Sequence, residues 1–264
     1  MILVYILTME NIYILNYINS NLNLFIDKLI LKKNYGIFFS DIDFRPYWNS
    51  CFCKYYSDSI LKEIEGEFYL RNLNPSFWID KSQRDIEHYL EKKSYIRRNT
   101  DYWMSISWKP RYHNNDLNIE KIVSKDQIDD YLFIFLSEYK DPQFKYKHSL
   151  IQRLSDDNIN SYILYEDGSP ASIISIIENN GIGLIQSVVT KKEFRNKGYA
   201  SALCRYAINK SNVSTFILRT DINNPGINVY KKIGFKKLLE VDVFSKKTFK
   251  DSIFYKFIKH SILI

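Results

Sequence analysis

Three cysteines in 264 residues, Cys51, Cys53 and Cys204, are too few for a disulfide framework. Cys51 and Cys53 are one residue apart, not the two to four usual for paired zinc ligands. The four histidines, His88, His113, His148 and His260, are scattered without metal-ligand spacing, so no metal is expected. Unpaired cysteine use fits reduced thiols in a cytoplasmic protein. Eight glycines and six prolines exclude collagenous and low-complexity chains. No long apolar run is present either. The N-terminal stretch MILVYILTMENIYILNY is broken by Glu10 and several Asn, falls short of the roughly 20 residues that span a bilayer, and lacks the basic region and cleavage site of a signal peptide. No membrane partner is expected.

What is present is an ordinary globular composition, 45% hydrophobic and 25% charged. The 21 Tyr and 17 Phe accompany an Asn-, Ile- and Lys-rich, codon-biased composition, so they are not read one by one as stacking platforms. Charge is uneven. Residues 185–260 hold 16 Lys/Arg against five Asp/Glu, a surplus of +11 in a chain whose net charge is +7, which leaves −4 elsewhere. A basic second half suits an anionic ligand (a nucleotide, nucleic acid or acidic substrate), although a solvated lysine-rich face has the same composition.

Six of the eight glycines lie in the second half. Residues 126–155 carry apolar residues at helical spacing and predict one or two helices. Tyr162–Tyr165, Ala171–Ile177 and Leu184–Thr190 predict strands, separated by the turn signals Asp167-Gly168 and Asn179-Asn180-Gly181. After Gly198, Ala200, Leu203, Ala207 and Ile208 form one helical stripe. Val213–Thr220 predicts a strand. Asn224 as N-cap and Pro225 at the first position predict a helix ended by Gly234 and Phe235 in a Schellman stop. Lys237–Phe244 and Ile253–Ile258 read as further strands.

The segment Arg195-Asn196-Lys197-Gly198-Tyr199-Ala200 turns a strand into a helix. Such a turn presents unpaired N–H groups where the helix dipole is positive, and phosphate oxygens bind there. Gly198 allows close approach, while Arg195 and Lys197 add formal charge. An ordinary strand-to-helix turn can carry the same residues. The second element, Asn223 through Phe235, lies one strand later.

Together the two elements resemble the GNAT superfamily of acetyl-CoA-dependent N-acetyltransferases. Arg195, Gly198 and Ala200 keep an Arg/Gln-x-x-Gly-x-Gly/Ala pattern, and Asn223, Tyr230 and Gly234-Phe235 keep the spacing of the second motif. The resemblance covers roughly residues 125–260. It implies that backbone groups of Val188, Val189 and Thr190 pair with the pantetheine arm of acetyl-CoA. Amides from Arg195, Asn196, Lys197, Gly198, Tyr199, Ala200 and Ser201 would hold the pyrophosphate, and Asn223 would touch the cofactor. Tyr230 would lie beside the sulfur as general acid. Direct attack by an amine needs no protein nucleophile, and no Gly-x-Ser-x-Gly or Cys–His pattern is present. The family's strand-four glutamate is missing where this chain reads Gly183-Leu184-Ile185. Gln186 cannot take a proton usefully, and Glu178 is the nearest carboxylate that could serve as base; a solvent-facing turn residue is the competing reading.

The first half reads as a degenerate copy of the second. Ser59–Arg71 and Ser82–Lys92 predict helices, Pro75–Asp80 and Tyr102–Trp108 strands. Leu90 to Tyr95 aligns with Tyr230 to Phe235, so the tyrosine has become Leu90 and the glycine Ser94. Lys54 to Asp58 has no glycine and ends in an acid, unlike a phosphate loop; an unrelated α/β domain is the other reading. The expected fold class is α/β (α+β): two GNAT-like domains over residues 1–118 and 119–264, each a twisted, mixed but mainly antiparallel sheet flanked by helices. The expected function is acetyl transfer to a primary amine of a small molecule, peptide or protein. The alternatives are a non-catalytic acyl-CoA or partner-binding module, and a transferase acting on aminoacyl-tRNA through the basic half.

Overall fold

The computed structural model describes residues 17–19, 21, 26–41, 46–110, 112, 116–138, 151–152 and 154–247. The run of 126–155 is helical as α3 (Lys125–Glu138) and at 151–152, with residues 139–150 outside the described set. The apolar start of the chain and the run Ile253–Ile258 also lie outside it. No helix among the described residues is long and apolar enough to cross a membrane.

The first half runs β1 (Lys28–Leu31), β2 (Tyr35–Phe39), β3 (Ser50–Cys53), α1 (Asp58–Tyr69), β4 (Ser76–Asp80), α2 (Arg84–Lys92) and β5 (Tyr95–Ile106). The second runs β6 (Asn118–Lys121), α3, β7 (Ile159–Glu166), β8 (Ser169–Asn179) and β9 (Ile182–Thr190). It continues with α4 (Tyr199–Lys210), β10 (Thr215–Asp221), α5 (Ile227–Ile233) and β11 (Lys236–Lys246). The hairpins around β8 turn where the sequence signals them: Asp167 and Gly168, then Asn180 and Gly181, all have positive φ, as two-residue hairpin loops require.

The halves repeat one plan. Antiparallel strands lead to a strand (β3, β9), a helix crosses to a parallel strand (β4, β10), and a second helix leads to a long antiparallel strand (β5, β11). The two long strands are exchanged. β5 pairs with β10, β11 pairs with β4, and the two pair with each other, giving one sheet in the order β1-β2-β3-β4-β11-β5-β10-β9-β8-β7-β6. The division at 118/119 falls at the first residues of β6.

Alternation along each strand sorts side chains to the two faces. Trp103, Ile173, Leu184 and Ile217 point to the face covered by α3 and by Tyr17 and Ile18, where Phe38, Phe52 and Trp78 of the first half join them. Met104, Ile174, Ile185, Phe216 and Leu218 point to the face covered by α4 and α5. The core shared by the halves is therefore continuous.

Several boundaries differ from the sequence expectation, each for a local reason. β5 extends seven residues before Tyr102 because its polar residues are paired inside the sheet. Arg98 donates to Ser245 Oγ (2.5 Å), Thr100 to Asp242, and Asn99 to Asp101 Oδ1 (2.9 Å). Ser82 does not cap α2; its hydroxyl and N–H both turn to Asp80 Oδ1. Asn224 closes a turn onto Gly226 N–H (2.8 Å), so α5 starts at Ile227 and Pro225 lies before it. At its end the Schellman stop is complete: Phe235 N–H donates to Tyr230 O (3.0 Å) and Gly234 N–H to Lys231 O (3.1 Å). Ser94, the counterpart of Gly234 after α2, also has a positive φ, 64°. Cys51, Cys53 and Cys204 are free and buried.

Gly183 sits where β9 and β10 are bonded, opposite Phe216. A Cβ there would come within 2.5 Å of the ring of Phe216, which is fully buried, and 3.1 Å of Val213. Gly183→Ala should therefore lower unfolding free energy by about 1–3 kcal/mol in urea denaturation, the usual cost of overpacking. An unchanged midpoint would mean that β9 and β10 are looser at this rung.

Candidate functional site

β9 and β10 are parallel and bonded through three rungs only: Ile182–Thr215, Gly183–Phe216 and Leu184–Ile217. Beyond Leu184 the strands part. β10 continues against β5 and β9 against β8, so the fork opens between two limbs whose facing ladder edges pair with no strand among the described residues. An unpaired strand edge is a template for another extended chain.

The β9 limb carries a bulge. Between the pairs Ser175–Gln186 and Ile173–Val189, β9 has one residue more than β8, and Ser187 takes a left-handed φ of 55°. The bulge re-aims main-chain groups beside the fork. Beyond it, the Ser172 hydroxyl donates to Val189 O (3.0 Å), fixing the strand from its other side.

β9 runs directly into the second feature. A 3₁₀ turn, Lys192–Phe194, leads to Arg195, whose Nε returns to Thr190 O (3.0 Å) and ties the loop to the strand end. Asn196 and Gly198 both have positive φ, 65° and 84°, so the chain curls before α4. Gly198 is the N-cap and supplies no side chain to the helix. The first helical bond runs from Ala202 N–H to Gly198 O (3.0 Å), and the amides of Gly198, Tyr199, Ala200 and Ser201 precede it. Four N–H groups thus precede the first intrahelical bond, at the positive end of a 12-residue helix. The matching position in the first half is closed: Ser57 Oγ accepts from Ile60 N–H (3.2 Å), and Asp58 brings a negative charge into the first turn of α1.

Lys197 does not reach into the loop. Its ammonium lies 2.9 Å from Glu166 Oε1 on β7, and Tyr199 hydrogen-bonds to the same carboxylate. Lys197 first, then Tyr199, holds the Glu166 carboxyl below the usual carboxylate range.

Tyr230, on α5, is half-buried, with its ring edge-on to Phe235 at 6.1 Å. It packs against the same core cluster as Val188 and Tyr199. Arg205 of α4 donates to Lys232 O (3.0 Å) and binds the two helices to each other. Asn223 is exposed in the turn after β10, its N–H donating to Asp221 Oδ1 (2.7 Å).

Glu178 is not brought to this group. It pairs with Gly183 at the closed end of the fork, seven residues before Thr190 along β9. Its carboxylate accepts from Ser211 Oγ (2.7 Å) and Asn160 Nδ2 (3.1 Å). A carboxylate clasping the end of α4 in this way does the work of a joint.

Sequence reasoning passed over three features here. The Ser187 bulge carries no composition signal, because its cause is register. Glu166 is an ordinary turn residue until the fold sets it beside Lys197. Arg219 had a signal: it is a charge inside the apolar strand run Phe-Ile-Leu-Arg-Thr.

Among the described residues, no group of three His, Cys, Asp or Glu is arranged to hold a metal ion. Residues 123–235 match the model of the acetyltransferase (GNAT) family, so the second half contains a GNAT acetyltransferase-family domain. No curated protein matches the chain by sequence. Among solved structures, a conserved protein of unknown function from Staphylococcus epidermidis is similar with a TM-score of 0.68 and 18% identity, over 85% of this chain and 95% of that one. A GCN5-related N-acetyltransferase from Kribbella flavida gives 0.64 at 10% identity, over 88% and 95%. A tandem GNAT protein from the clavulanic acid biosynthesis pathway gives 0.56 at 10% identity, over 80% and 78%. At these identities the shared property is the fold. The family match over residues 123–235 and the shared fold support acyl transfer in general terms.

Removing the Glu166 charge should leave Lys197 free beside the α4 amides. Glu166→Gln should tighten the binding of inorganic pyrophosphate severalfold at low ionic strength. Isothermal titration should show the gain shrinking toward 1 M salt, where the screening length is about 3 Å. Equal affinity in both proteins at low salt would mean that anions bind elsewhere.

Proposed function

We propose that the protein is an acetyl-CoA-dependent N-acetyltransferase that moves an acetyl group to a primary amine, and that only its second half holds the cofactor. The observation that carries this reading is the series fork, bulge and amide row on one continuous stretch, Leu184 to Ser201. An extended amide-bearing arm fits the unpaired edge of β9 at Val188–Thr190, and a diphosphate fits the amides from Arg195 to Ser201. The reactive end of such a molecule then falls beside the bulge.

Bound acetyl-CoA supplies an acyl group already activated as a thioester. The main-chain groups around Ser187 orient its carbonyl and favour the charge that develops on its oxygen when the amine attacks. The β9 and β10 limbs hold amine and thioester in contact, which makes the attack effectively unimolecular. The Tyr230 hydroxyl gives its proton to the departing thiolate. Asn223, in the turn leading to α5, contacts the cofactor from the β10 side. Glu178 is committed to Asn160 and Ser211, so the amine enters neutral or sheds its proton to water.

The basic second half is better matched to this small anionic cofactor than to RNA. Lys191, Lys197, Lys237 and Lys246 each pair with a carboxylate, which blunts their field for a long polyanion. A binding module without turnover would have no use for a proton donor at Tyr230.

Two substitutions test the reading. Gly198→Glu puts a side chain at a left-handed position and a negative charge on the amide row. Acetyl-CoA affinity, measured by calorimetry, should fall at least a hundredfold, and retained affinity would overturn the loop assignment. Tyr230→Phe should lower kcat for thiol release roughly ten- to a thousandfold while leaving cofactor affinity within about twofold. Equal turnover would reduce Tyr230 to a packing residue.

A further inference from the structure

The fork has two faces, and the one away from α4 and α5 carries a buried polar group that the acyl-transfer chemistry does not use. Leu184 and Ile217 form the last bonded rung and point into the same core. Two residues further along each limb, on that same face, stand Gln186 on β9 and Arg219 on β10. Gln186 donates to Asn21 Oδ1 (2.8 Å), linking the limb to the N-terminal segment.

The Arg219 side chain is 1% exposed and that of Asp101 is 2% exposed. Nε donates to Asp101 Oδ2 (2.6 Å) and Nη2 lies 2.5 Å from the same oxygen. Burial works against the guanidinium charge, and Asp101, with smaller contributions from Tyr47 and Tyr17, more than offsets it. The guanidinium carbon lies 3.8 Å from the centroid of the Tyr47 ring and 4.2 Å from that of Trp78. Yet Nη1 has no hydrogen-bond partner among the described residues, and Nη2 is not aligned for one. The indole N–H groups of Trp78 and Trp103, in rings 5.7 Å apart, are also without one.

Every unmet group in this cluster is a donor, and each costs stability while it stays unmet. The matching ligand is an acceptor. A planar group with two oxygens offers acceptors to both the guanidinium edge and an indole N–H. Asp101 already neutralises Arg219, so the cluster suits a single negative charge shared over two oxygens better than a multiply charged phosphate. Two residues of strand rise, about 7 Å, separate Arg219 from the rung where the limbs part. A molecule held by its acid group at Arg219 would therefore carry an amine a few bonds away toward the fork.

We propose that the Arg219–Trp78–Trp103 cluster binds the carboxylate of the acceptor, and that the acceptors are amino acids or similar amino-carboxylates. This rests on the fork being the acyl-donor site.

The test compares matched acceptors with and without the acid group: ornithine and putrescine, lysine and cadaverine, tyrosine and tyramine. In thiol release from acetyl-CoA, the carboxylated member of at least one pair should be preferred about tenfold or more in kcat/KM. Arg219→Lys keeps a cation for Asp101 but withdraws the planar edge. It should bring that ratio near one, chiefly by raising KM for the acid. The double change Arg219→Met, Asp101→Asn removes both buried charges together and should have the same effect if the lysine variant does not fold. A second readout needs no turnover: tryptophan fluorescence titrated with the same amino acids should change saturably in the wild type and not in the variants. Equal use of both members of every pair, a preference that survives both variants, or no saturable signal with any amino acid overturns the inference. Calorimetry with coenzyme A on the same samples separates the two claims. Coenzyme A binding without carboxylate selectivity defeats this inference alone, whereas absent coenzyme A binding defeats the acetyltransferase reading.

Discussion

A parallel pair of strands that bonds through three rungs and then parts is the constraint on which the rest of this structure depends. Bonded to its end, the pair would be one more piece of sheet. Because it opens, two rows of main-chain groups are left facing each other, and the fold must keep them apart without help from their own ladder. β8 holds one limb and β5 holds the other. Gly183 at the closed end permits the tight contact with Phe216, and the Ser187 bulge re-aims the main chain of the β9 limb.

The strand that holds the β10 limb comes from the first half of the chain. β5 leaves its own repeat and lies between β10 and β11, while β11 of the second repeat lies between β5 and β4. The exchange explains why a first half with a self-capped, acid-bearing α1 would be kept: it supplies a wall of the fork and half of the core behind it. It also delivers Asp101, Trp78 and Tyr47 to the side of Arg219, none of which the second half could provide alone.

Much of the second half was legible in the sequence, because its signals are local. Asp167-Gly168 and Asn180-Gly181 dictate their turns, Gly198 opens α4, and Gly234-Phe235 closes α5 with both Schellman bonds in place. The repeat was legible at Leu90 to Tyr95 for the same reason, and Ser94 keeps the left-handed turn without the glycine. What stayed hidden depends on partners distant in the chain. The polar run Ile96–Asp101 carries no strand signal until β11 pairs with it, and Glu178 reads as a candidate base or a solvent-facing turn residue until Ser211 and Asn160 claim it. The strand exchange itself has no signature, since either long strand has the composition to fit either place.

The account turns on whether the main chain at the head of α4 grips a diphosphate. Amide chemical shifts of isotopically labelled protein titrated with coenzyme A test this most directly. The account predicts that the N–H resonances of Gly198 to Ser201 move furthest and saturate together, followed by those of Val188 to Thr190. Saturable shifts centred on α1 or on the lysine-rich surface, with the α4 amides unmoved, would contradict it.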